Sequence, residues 1–156
     1  MFKIFFMENF EIHITGSGPT INKALKKSYL DNKIWGILSL NKLDNFEIKG
    51  DESLLIAVLI NLINNSLFFI EKCGKGQIFI SSIIDQFNNL LIFKDTALGV
   101  KEEELILIKN GYYKKVNGNG FGLSFCSKVM MAMGGVLDIE SEYDKHFTVI
   151  LKFPKI

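Results

Sequence analysis

No charged residue occurs between Ser53 and Ile70, and three asparagines, Asn61, Asn64 and Asn65, interrupt that otherwise apolar run. A stretch this long and uncharged is stable either across a bilayer or as a helix inside a protein core. The central amides favour the core, because an unpaired amide costs free energy in an apolar medium. Asn61 and Asn65 are four apart, so a helix puts them on one face, while Leu59, Ile60, Leu62, Ile63 and Leu67 line its other sides. The run therefore predicts a buried helix that turns an amide stripe toward something polar.

The chain of 156 residues is 48% hydrophobic and 22% charged, enough to build a sizeable core and too apolar for disorder. Its formal net charge of +1 gives no electrostatic ground for a nucleic-acid partner. All 18 basic residues are lysines, so a side chain that meets a phosphate does so as a point charge, without the bidentate fork of arginine. Cys73 and Cys126 stand too far apart for a disulfide framework or a metal-ligand cluster. The apolar start, Met1–Met7, meets Glu8 too soon for a signal-peptide core. These features together point to a reducing, cytoplasmic setting with no membrane span in the chain.

Along the chain, residues 10–15 alternate as a half-buried strand with His13 on the polar side. A turn at 16–19 follows, then a short helix capped by Thr20, with Ile21, Ala24, Leu25 and Ser28 facing in. Residues 34–40 and 46–49 read as strands. Asp51 is the expected N-cap of the central helix, which stops near Glu71 before Gly74 and Gly76. Strands follow at 77–84 and 90–94. A charged, lysine-rich loop spans about 100–117 with a short helix over 102–108, and a last helix runs from the glycine cluster at 118–122 to about Met133. A closing hairpin pairs 136–142 with 147–153. This order predicts one α+β domain over residues 1–156, a two-layer sandwich with helices on one face of a mixed, largely antiparallel sheet.

Three clusters carry candidate chemistry. Gly118-Asn-Gly120-Phe-Gly122 leads into a helix, where free N–H groups at the positive helix end bind anions; a glycine-rich turn has the same sequence. It is neither the dinucleotide fingerprint nor a P-loop, since both need other spacings. Asp95 ends an apolar strand, where a carboxylate either accepts from an adenine amine or caps a turn, and Gly99 nearby leaves room for a flat ring. Asn65 offers a neutral oxygen of the kind Mg²⁺ takes beside phosphates, or is a core amide satisfied by backbone. Among Lys109, Lys114 and Lys115, one reaches a phosphate or all are solvated. Cys126, Met130, Met131 and Met133 pack the core where they face inward.

In sequence, Asn61-x-x-x-Asn65, Asp95-x-x-x-Gly99 and Gly118-x-Gly120-x-Gly122-Leu123 resemble the ATP-binding domain of sensor histidine kinases, in the GHKL superfamily with gyrase, a heat-shock chaperone and mismatch-repair ATPases. The likeness runs from about Thr20 to Pro154, and Gly122-Leu-Ser-Phe-Cys126 is also similar to quorum-sensing autoinducer kinases. The resemblance implies bound ATP and Mg²⁺. Asn65 would be the metal ligand and Asn61 would support the phosphates. Asp95 would read adenine with Thr148 behind it. Ala97, Gly99, Val100, Gly118, Gly120, Phe121, Gly122 and Leu123 would complete the site, under an ATP lid at 100–117. It also implies two partners, a helical dimerisation and phosphoacceptor domain, in the same chain or in trans, and a response regulator.

Ala97 and Phe68 depart from the family, which usually has glycine and a basic residue there, and Tyr112-Tyr113 would stand in for its aromatic lid segment. These departures support an alternative, a nucleotide-holding regulator that catalyses nothing. A self-contained ATPase ranks below both, because Asn61 occupies the place of its catalytic acid. No residue of the chain serves as phosphoacceptor or general base, so the expected activity is kinase chemistry only when a phosphoacceptor domain is supplied.

Overall fold

The computed structural model describes residues 13–16, 20, 23, 37–111 and 121–156. The turn expected after Gly16, the helical face Ile21, Ala24, Leu25 and Ser28, the strand start at Ile34, and residues 112–120 with their glycines, tyrosines and lysines lie outside these. Described in chain order are β1 His13–Gly16, β2 Leu38–Leu40, β3 Glu47–Gly50, α1 Glu52–Cys73, β4 Ile78–Ile84, β5 Asn88–Asp95, α2 Glu102–Lys109, α3 Phe121–Ala132, β6 Val136–Glu142 and β7 His146–Pro154.

The uncharged run forms α1, with both ends fixed locally. Asp51, in an extended conformation, accepts the Leu54 N–H at 2.9 Å, which satisfies a donor that the first helical turn leaves open. Glu52 in that turn is held by Lys23 at 2.8 Å. Thr20 is itself helical rather than a cap ahead of a helix, and its hydroxyl meets Glu52 at 3.5 Å. At the other end Gly74 adopts φ 70 and donates to the carbonyls of Ile70 and Glu71. The helix thus runs to Cys73, past the expected stop at Glu71, because the left-handed turn waits for a glycine.

β2, β4, β5, β7 and β6 form a five-stranded sheet in that order, and β1 and β3 make a separate antiparallel pair. Only β2 and β4 within the larger sheet are parallel, as a crossover through β3 and α1 requires. β5 begins earlier than its apolar run suggests, because Asp85 accepts the Phe87 and Asn88 N–H groups and tightens the turn. One face of the sheet is closed. Asn89, Leu91, Phe93 and Asp95 alternate inward on β5, in register with Phe153, Leu151, Val149 and Phe147 of β7.

α1 and α3 cover that face, and Val58, Leu59, Ile63, Cys126, Val129 and Met130 meet in the core. Among the described helices only α1 has the length and apolarity to cross a membrane. Here it is the core helix, with Leu55, Val58, Leu59, Leu62 and Ile63 all buried. α3 ends at two glycines: Gly134 takes φ 72 and Gly135 donates to the Met130 carbonyl. Met130 and Met133 are buried while Met131 faces out.

Candidate functional site

Asp95 closes β5 on the covered face and is 1% exposed. Its Oδ1 accepts the Ala97 N–H at 3.2 Å, and its Oδ2 accepts the Ser66 hydroxyl at 3.0 Å across from α1. Burial pushes this carboxyl above its ordinary value, while the Ala97 and Ser66 donors and the nearby His146 hold it down. Ser66 is a participant that the asparagine spacing does not reveal. It lies one residue past Asn65, and a helical step of about 100° turns it from the amide face toward the sheet.

The segment after Asp95 is clamped from above by the β6–β7 hairpin. Ala97 is fully buried without a positive φ, so its position does not need glycine. Gly99 does: its φ is 63, and a Cβ there would collide with the Glu142 carbonyl oxygen and stand 2.6 Å from that of His146. On the side where a Cβ would stand, Gly99 is therefore covered by hairpin backbone. Val100 donates its N–H to Ser141 Oγ at 2.9 Å, and that hydroxyl donates to the His146 carbonyl at 2.7 Å. The Asp144 N–H bonds the Leu98 carbonyl.

Thr148 does not stand behind Asp95. Register pairs Asp95 with Phe147 and Thr148 with Lys94, and residues directly opposite in an antiparallel ladder share a face. Thr148 therefore belongs to the other face, where its hydroxyl lies 3.1 Å from His146 Nδ1. Phe147 is the residue beside Asp95, and it brings a ring instead of a hydroxyl.

The amide stripe faces α3. Asn61 donates to the Ala57 carbonyl at 2.8 Å, and its Oδ1 lies 3.4 Å from where a Cβ of Gly122 would stand. Asn61 thus meets the first turn of α3 at Gly122, at a distance where a Cβ would make ordinary contact. Leu123 is half-buried against the core. Gly118 and Gly120 lie outside the described residues, and Phe121 is described only as the backbone start of α3. Asn65 is half-buried, and among the described residues no hydrogen bond occupies its amide. A neutral amide oxygen without a competing partner is a donor that Mg²⁺ accepts.

The segment from Lys101 carries α2, which has no buried residue. Lys101 lies over the Tyr143 ring at 5.5 Å, and Lys109 stands 4.0 Å from Asp138 of β6. Cys126 donates weakly to the Val58 carbonyl, and burial pushes its thiol up to about 12, which leaves it a packing residue.

Comparison with known proteins gives the family and the fold. The chain is 30% identical over 157 residues to the autoinducer 1 sensor kinase/phosphatase LuxN of Vibrio campbellii, covering 95% of this chain and 18% of LuxN. It is 30% identical over 112 residues to the CAI-1 autoinducer sensor kinase/phosphatase CqsS of Vibrio cholerae, covering 70% of this chain and 16% of CqsS. The chain thus spans less than a fifth of either relative. The mycobacterial sensor histidine kinase MprB shares the fold, with a TM-score of 0.73 at 17% identity over 92% of this chain and 97% of that one. So does the catalytic domain of histidine kinase ThkA, with a TM-score of 0.73 at 24% identity over 93% and 96%. Residues 50–156, from the cap of α1 to the end of the chain, match the family described as histidine kinase-, DNA gyrase B-, and HSP90-like ATPase, and the chain belongs to that family.

Proposed function

We propose that residues 1–156 form a cytoplasmic domain that binds Mg-ATP and, as the catalytic part of a two-component sensor histidine kinase, transfers the γ-phosphoryl group to a histidine on a separate helical domain that serves a response regulator. The observation that carries this reading is the meeting of Asn61 with Gly122. It sets an amide against the first turn of α3, where unpaired N–H groups and the positive helix end attract phosphate. Asp95, on the sheet side of the same helix α1, supplies an acceptor for an adenine amine. Asn65 lies between these two ends and offers its amide oxygen to Mg²⁺, which when bound neutralises phosphate charge. Residues 100–117 act as the lid, with α2 at its start.

Among the described residues, none is set up for turnover on its own. An amide takes no proton at neutral pH, so Asn61 cannot activate water. His13 starts a strand and His146 leans on Thr148, and neither stands on a helix as a phosphoacceptor. A second reading, a regulator that holds nucleotide without phosphotransfer, draws on Phe68. That ring packs edge-on against Phe69 at 5.3 Å, at a position where the family resemblance implies a basic side chain.

Calorimetry and radiolabelling test the proposal. Asn65→Ala is expected to weaken Mg-ATP binding by about 1–3 kcal/mol, the usual cost of a lost polar partner, with little effect on metal-free ATP. Equal loss with and without Mg²⁺ refutes the ligand role. The purified chain is expected to take up no label and release no phosphate alone, and label is expected on an added histidine-bearing helical domain. Binding of Mg-ATP without any transfer to such domains selects the regulator.

A further inference from the structure

We propose that Ser66 is a positioning residue that aims the Asp95 carboxylate at the amino group of an aminopurine base and so makes the site selective for it. This rests on the ATP-binding reading above. Ser66 and Asp95 are 6% and 1% exposed, so water does not compete for their bond. A serine inside a helix ordinarily turns its hydroxyl back to a carbonyl one turn earlier; Ser66 instead donates to a neighbouring strand. The Ala97 N–H takes the other carboxylate oxygen.

Two donors on two different oxygens fix both the rotation and the plane of the carboxylate. An ionised carboxylate offers about four acceptor positions, so acceptor capacity remains after these two bonds, and in this bonded state the group only accepts. An amine at the purine 6-position fits such a group and a carbonyl oxygen there does not. A site built around one hydrogen bond rejects an analogue that lacks it. Because Ser66 follows Asn65 directly on α1, one helix holds both the base reader and the amide proposed for the metal, which fixes the spacing between them.

The test compares Ser66→Ala with the unaltered chain in calorimetric titrations against Mg-ATP, Mg-GTP and the Mg complex of purine riboside triphosphate, which is ATP without its 6-amino group. Removing a hydroxyl from a buried helical serine leaves a good helix former, and a melting curve checks that the variant folds. Mg-ATP affinity is expected to fall about tenfold, the scale of one lost hydrogen bond to a charged group. The analogue is expected to bind both chains within about twofold, so that the preference for the amine collapses. Equal weakening of ATP and the analogue reduces Ser66 to a packing residue and overturns the proposal, as does an unchanged preference. An unaltered chain that binds no nucleotide overturns the ATP-binding reading itself, and that result is distinguishable from the other two.

Discussion

Asp95 carries a cost that the proposed adenine contact accounts for. Its ionised form is buried, so its folded pKa is raised above the unfolded value of about 3.9. The carboxyl's contribution to stability is therefore fully present below the unfolded value and lost as pH rises through the folded one. Asp95→Asn keeps an oxygen for the Ala97 N–H and gives an amino group to Ser66, without a charge. Melting curves from pH 3 to 7 should show the variant gaining on the unaltered chain as pH rises, while Mg-ATP affinity falls. A constant difference across that range contradicts the assignment.

Gly99→Ala should cost about 1–3 kcal/mol for its left-handed backbone alone, and more for the collision with the Glu142 and His146 carbonyls. Urea unfolding measures the loss, and a cost below about 0.5 kcal/mol shows that the hairpin gives way instead. Asp95, Asn61 and Gly122 are legible in the sequence because local context marks them: a charge ending an apolar strand, an amide in an apolar helix, a glycine opening a helix. Ser66 and Phe147 are not. Which side chains flank a strand-end carboxylate depends on register, and a slip of one residue exchanges the faces. That period-two ambiguity separates Thr148 from its expected place behind Asp95.

Among the elements, α1 is the most legible, because its cap, its apolar faces and its terminating glycine all agree. The pairing of β2 with β4 is not readable from composition, since nothing local to three residues such as Leu38–Leu40 names a partner. α2 is a different kind of element. It forms a helix over 102–109 without burying a residue, and an acidic first turn and a lysine in the last turn complement the helix dipole. Only Leu105 and Ile108 lean, half-buried, on the core, and short helices with so little packing are marginal in water, so residues 102–110 should exchange their amide hydrogens quickly in nucleotide-free protein and more slowly with Mg-ATP bound. Hydrogen exchange read by mass spectrometry gives the comparison, with α1 as the protected reference. Equally slow exchange in α2 and α1 before nucleotide is added shows a fixed α2 and removes the lid.

At the scale of the whole molecule, the core is closed by elements from distant parts of the chain. α1 packs on β5 and α3, and both follow it in sequence. During synthesis, then, the longest described helix leaves the ribosome well before the surfaces that shield it, and at that stage only its own asparagines distinguish it from a membrane anchor. Neutral phosphatidylcholine vesicles offered to a fragment ending at Gly76 should capture it, while the full chain stays in the supernatant after centrifugation. Equal recovery of the two in the lipid pellet shows that later strands do not hide the helix. For a cell making this protein, the hazard lies in the interval before β5 and α3 emerge: a chaperone that shelters the nascent segment, or a translation rate that shortens its exposure, decides how much of the product reaches the folded state instead of a lipid surface.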